Sequence, residues 1–207
     1  MIETPVVSPS GFRRGYLAFQ AQEPRDAMYR TATFLVEHFW GQPRDMADGM
    51  GVLLMTWNQA FYRYGSFDFG LLEEALRANM PVIEGLRNRS IESLSDADEP
   101  VVEKLFLEFL IALRIAEGKK AGNRSPVAVA KALHLLAPAF FPLWDKAIAR
   151  AYGCDYSVRP EKKYLEFADV MQRLFRQLGN CVPPDCGRTF LKLVDEYNYA
   201  KFTKAWV

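Results

Sequence analysis

The chain has 207 residues, enough for one sizeable core. Half are hydrophobic and 14% aromatic, which excludes a disordered polypeptide. Lysine and arginine total 26 against 25 acids, a net charge of +1, so any nucleic-acid surface must come from local segregation of charge.

No run of about 20 apolar residues and no signal-like N-terminus is present, so a soluble, cytoplasmic protein without a membrane partner is expected. The cysteines are Cys154, Cys181 and Cys186, an odd number that argues for free thiols. Cys181 and Cys186, with both histidines distant, make too sparse a set for a metal site. No metal and no cofactor are expected.

Taken in order, residues 1–24 read as an irregular arm. Helical periodicity begins at 26–40, where Met28, Ala32, Leu35 and Phe39 share a side. A strongly apolar helix follows at 45–64. Asp68 is placed to cap a helix at 69–79, and a separate short helix is predicted after Pro81, at 81–87. A polar loop at 88–99 leads to a long helix ending near 117. Ser125 and Pro126 open the next helix, 127–136, with a good N-cap and a proline in the first turn.

Pro138 and Pro142 then bracket an aromatic loop holding Phe140, Phe141 and Trp144. Asp145 follows as N-cap of a helix at 146–152, which stops at Gly153. Further helices are predicted at 160–178 and from about 188 to 206, separated by a loop at 179–187. No sustained period-2 alternation occurs. The expected class is all-α.

Charge is locally unbalanced at the link before Ser125. From 114 to 131 the cations Arg114, Lys119, Lys120, Arg124 and Lys131 face one anion, Glu117. The free N–H groups of a following helix attract phosphate, so Lys119, Lys120, Arg124, Ser125 and, on the later helix, Arg150 are candidate DNA-backbone contacts. A solvated turn with ordinary lysines explains the same charges. Asp145 likewise has two readings. One is a cap that stabilises by roughly 1 kcal/mol; the other is catalysis. The run 195–199, Asp-Glu-Tyr-Asn-Tyr, mixes acids with aromatics; closing over a cleft is one reading, and surface plus core is the preferred one.

The order helix, basic link, helix, apolar loop, then Trp144-Asp145-Lys146-Ala147-Ile148-Ala149-Arg150 resembles the helix–hairpin–helix DNA glycosylases, the endonuclease III-like superfamily. There an aspartate opens a helix in patterns like V-D-T-H-V-x-R. Upstream, Leu53-Leu54-Met55-Thr56-Trp57-Asn58-Gln59 is similar to the family's L-L-S-x-Q. The hairpin departs from the family's L-P-G-V-G-x-x-T-A: Arg124-Ser-Pro-Val-Ala-Val129 lacks Gly-x-Gly.

The resemblance implies two lobes, 45–155 and 25–44 with 156–207, and a degenerate hairpin. It implies excision of a damaged or modified base from double-stranded DNA. That base is a repair lesion or a hypermodified phage base such as a glycosylated hydroxymethylcytosine. Asp145 is the implied catalytic carboxylate. Trp57, Asn58, Gln59, Tyr62 and Trp144 are the implied base pocket, although core packing also accounts for Trp57, Tyr62 and Trp144. The family's lysine nucleophile aligns with Ala130, one residue from Lys131. That offset is about 100° of helix rotation and favours a monofunctional enzyme, with Lys131 the lesser candidate; a monomer is expected. The rival expectation is a non-catalytic module of the same fold that binds nucleic acid or protein.

Overall fold

The computed structural model describes residues 5–183 and 186–207. Positions 1–4 of the expected arm and 184–185 of the expected late loop lie outside these. Ten α-helices follow one another among the described residues, with no strand. They are α1 (Pro9–Gln22), α2 (Ala27–His38), α3 (Pro43–Trp57), α4 (Gln59–Tyr62), α5 (Phe69–Arg87), α6 (Glu99–Ala112), α7 (Pro126–Leu136), α8 (Lys146–Ala151), α9 (Pro160–Leu178) and α10 (Phe190–Asn198). A π-helical turn, Tyr199–Thr203, closes the last helix. No helix among the described residues is long and apolar enough to cross a membrane.

Four elements differ from the sequence reading, one of them the long helix expected to end near 117, which stops as α6 at Ala112. The supposed irregular arm holds α1. Pro9 does not break this helix because it occupies the first turn, where an N–H has no intrahelical partner. The Ser8 hydroxyl caps it by accepting from the Gly11 N–H at 3.1 Å. Pro81, expected to separate two helices, sits inside α5. The helix continues across it because Leu76, Ile83 and Leu86 bury the same face on either side. The helix expected at 45–64 breaks at Asn58 into α3 and α4.

The core is assembled around α6 and α7. Helix α6 packs against α5, α7 and α9, while α3 packs against α2 and α5. Helix α1 lies along α10. Their contact is close because Gly15 has no side chain: a Cβ there would stand 3.2 Å from the Tyr197 Cα, a backbone atom that cannot step aside. The stacking of α1 on α10, and of α2 on α3 and α7, brings distant parts of the chain to one opening.

Candidate functional site

Asp145 enters the structure through a rigid loop. Leu143 and Trp144 precede it, both buried. The Trp144 indole N–H donates to the Pro126 carbonyl at 3.3 Å, and its rings meet those of Tyr156 and Tyr164 at 5.1 and 5.2 Å. The Tyr164 hydroxyl donates to the Pro142 carbonyl at 2.8 Å. The start of α8 is therefore held from both sides. Asp145 Oδ1 accepts from the Ile148 N–H at 2.8 Å, the N-cap bond expected from the sequence. Oδ2 accepts from the Thr203 hydroxyl, also at 2.8 Å. The carboxylate is partly exposed and lines a cavity of about 400 Å³.

That cavity gathers charge from distant parts of the chain. Lys131 comes from α7, Asp26 from the residue before α2, and Lys192 and Asp195 from α10. Aromatic walls are Phe19, Trp57, Trp144 and Tyr199. The α10 contribution follows a helical stripe. Positions 192, 195 and 199 are i, i+3 and i+7, so one face presents all three.

Lys131 lines the same cavity as Asp145. Its one-residue offset from the family position does not turn it away, because Ala130 is the one wholly buried in the core. The ammonium donates to the Trp57 carbonyl at 2.9 Å and to Asn58 Oδ1 at 3.1 Å, and lies 4.6 Å from the centre of the Trp57 ring system. Burial disfavours its charge and lowers its pKa to about 8, against the pull of Asp195 and Asp145. Burial acts oppositely on Asp195, whose carboxyl is pushed up to about 6, with Lys192 pulling down and Glu196 and Asp145 pushing up.

Lys192 ties this wall together. Its side chain is 2% exposed and its ammonium stands 3.0 Å from Asp26, 3.6 Å from Glu196 and 3.7 Å from Asp195. The rings of Tyr29 and Phe19 flank it at 4.4 and 4.8 Å. Asp26 meets it from a strained backbone, φ 39° and ψ 45°, and makes no capping bond to α2.

Of the expected site residues, Asp145, Lys131, Trp57 and Trp144 converge on the cavity. Asn58 stands behind it: its amide donates to the Ser125 hydroxyl at 3.2 Å while its carbonyl receives Lys131. Gln59 and Tyr62 are not part of it. Gln59 is exposed outside the cavity, because the chain breaks at Asn58 and restarts as α4. Tyr62 is a core residue whose hydroxyl donates to the Leu113 carbonyl at 2.8 Å.

The expected DNA-backbone contacts do not line the cavity either. Lys119, Lys120 and Arg124 are exposed, on a loop that folds back on itself through Ile115 N–H to Asn123 (2.9 Å) and Gly122 N–H to Ile115 (2.8 Å). Gly118 and Gly122 take positive φ there, +82° and +85°. The Ser125 hydroxyl is occupied by the Ala128 N–H at 3.2 Å and by Asn58. Arg150 pairs with Asp155 at 3.3 Å.

Phe19, Asp26 and Lys192 escaped the sequence reading, and Asp195 and Tyr199 were read as surface plus core in preference to a cleft wall. The spacing of Lys192, Asp195 and Tyr199 was the available signal for the last three. Cys154, Cys181 and Cys186 are free thiols. Among the described residues no cluster of three or more His, Cys, Asp or Glu side chains is arranged to hold a metal ion. No protein-family model, no curated protein and no solved structure matches this chain.

Proposed function

We propose that this protein is a DNA glycosylase that hydrolyses the N-glycosidic bond of a damaged or modified base. The observation that carries the reading is Asp145, a carboxylate fixed by two hydrogen bonds at the mouth of a helix and open to an aromatic-walled cavity. A cavity of about 400 Å³ falls within the range of small-molecule sites and admits one extruded nucleotide. The two-lobed helix–hairpin–helix architecture belongs to this proposal.

In the reaction, the bond from deoxyribose C1′ to the base nitrogen breaks and its electron pair leaves with the base. Positive charge builds on the sugar, as in other glycoside cleavage. Asp145 faces that charge. At about 4 Å and an effective dielectric near 20 the attraction is roughly 4 kcal/mol, on the order of a thousandfold in rate. Water then adds to C1′ and its proton passes to the Asp195 carboxylate left once the base has been protonated. Asp195 supplies the proton that the departing base requires, and Trp57 and Phe19 supply faces against which the base can stack. Lys131, tied to two acceptors, acts as a fixed positive charge, and the product is an intact abasic site.

The test is incubation of the full chain with DNAs carrying different modified bases, including phage genomes, followed by alkali. Alkali-dependent breaks are expected, without a borohydride-trapped protein–DNA adduct. Asp145→Asn is expected to keep DNA affinity and lose excision by two orders of magnitude or more. Equal activity in that variant removes Asp145 from its role. Strand cleavage without alkali, abolished by Lys131→Met, would reassign Lys131 as a nucleophile. DNA binding without excision of any base in the panel favours the non-catalytic module.

A further inference from the structure

A second depression adjoins the first. It has a volume of about 380 Å³ and is lined by Arg25, Ala27, Arg30, Thr31 and Phe34; Ala27 lines the Asp145 cavity as well. The two openings therefore meet at the start of α2. We propose that this groove holds the phosphodiester strand flanking the nucleotide that occupies the cavity. The inference rests on the glycosylase reading for what the cavity contains, but its own chemistry is recognition of a nucleic-acid strand.

Charge complementarity is the first support. Arg25 and Arg30 are both exposed, and among the described residues neither enters an ion pair. The acid between them, Asp26, is drawn away. Its left-handed backbone turns the carboxylate inward to Lys192 instead of leaving it to cap α2 or neutralise the arginines. Glu23, the neighbouring exposed acid, lines the cavity and not the groove. Two guanidinium groups are thus left facing a depression with no carboxylate in its lining. Phosphate oxygens are the natural acceptors for such a pair.

The aromatic component is the second support. Phe34 is 61% exposed in the groove, and its ring lies parallel to that of His38, 5.6 Å between centroids and 18° between planes. An exposed ring beside paired cations is the combination that strand-binding surfaces use, with backbone on the cations and a base on the ring face. The loop carrying Lys119, Lys120 and Arg124 lines neither opening.

The experiment measures binding of the full chain to a short duplex containing a tetrahydrofuran abasic-site analogue, titrated between roughly 50 and 200 mM salt. The double variant Arg25→Gln, Arg30→Gln is expected to flatten the plot of log affinity against log salt by about two units. Phe34→Ala is expected to weaken binding about tenfold with the slope unchanged. A second measurement uses the unaltered protein: 5-iodouracil next to the analogue should photocross-link to the peptide spanning residues 25–34. An unchanged slope in the double variant, or cross-linking confined to residues 113–125, overturns the proposal, as does an absence of salt-dependent DNA binding by the unaltered chain. Excision with an unchanged slope would sink the groove alone. A flattened slope without excision would leave the groove standing and sink the glycosylase reading.

Discussion

Asp195 and Asp145 are two carboxylates in one cavity with different surroundings. Asp145 is partly exposed and accepts from a backbone N–H and a hydroxyl. Asp195 is mostly buried on α10 and shares Lys192 with Asp26 and Glu196. The groups that face it are Lys192 and Lys131, which favour its charge, and Glu196 and Asp145, which oppose it. Burial outweighs the cations, and the carboxyl holds its proton up to about pH 6. A proton donor is lost as pH rises through its pKa. Single-turnover excision is therefore expected to fall above about pH 6. Asp195→Asn is expected to be slower and to lack that limb. A variant retaining the same limb would show that the proton comes from elsewhere.

At the scale of elements, α1 decides whether the N-terminal region belongs to the fold. Phe12 is fully buried and its ring packs edge-on to Tyr16 at 5.3 Å and near Tyr197 at 6.1 Å. Phe12→Ala should lower the unfolding free energy by about 3 kcal/mol or more, the usual cost of deleting a buried phenylalanine. Denaturant titration checks this, and a loss below about 0.5 kcal/mol would return the segment to the status of an appendage. The elements legible in the sequence were those announced by local signals. Ser125 with Pro126, Asp68 and Asp145 all cap the helices expected of them, because a cap is decided within four residues. Helix α1 was missed because Pro9, Gly11 and Gly15 resemble breakers. Pro9 serves as the first turn after the Ser8 cap, a local signal of the same kind as Ser125 with Pro126 that was passed over, whereas Gly15 is the seat of Tyr197, a role that depends on a partner helix about 180 residues away. The site was half legible for the same reason. Asp145 and Trp144 stand in a local pattern, whereas Lys192 meets Asp26 only through tertiary packing. Tyr62 misled because an aromatic on an apolar helix signals a wall equally well for a cavity and for a core.

Across the whole molecule, buried titratable groups set opposing pH dependences. His134 is fully buried on α7; its Nδ1 lies 2.7 Å from the Phe141 carbonyl and its Nε2 lies 3.1 Å from the Tyr29 hydroxyl. With Nδ1 donating and Nε2 accepting, the neutral ring satisfies both partners and links α2 to the loop that presents Asp145. Burial lowers its pKa from 6.5 to about 3, so the unfolded chain binds this proton first as pH falls. That linkage removes stability as pH falls from 6.5 towards 3. Asp195 works the other way. Its folded pKa of about 6 exceeds the value of 3.8 for a free carboxyl, so the folded chain gains a proton between 6 and 4 that the unfolded chain does not. Burial raises Glu196 and Asp169 in the same sense. The contributions offset each other down to about pH 4. Below it the compensation ends, and a further loss begins at Asp98, which the bidentate Arg89 guanidinium at 2.6 and 2.8 Å holds near 2. Denaturant unfolding across pH 7 to 3 is expected to give a shallow profile to about 4 and a steep loss beneath it. In Asp195→Asn the loss should begin near 6, since the opposing proton uptake is gone. A uniform slope from 6.5 downward in the unaltered protein would mean that Asp195 titrates as a free carboxyl, and between about pH 4 and 6 it would then have no proton to give the departing base.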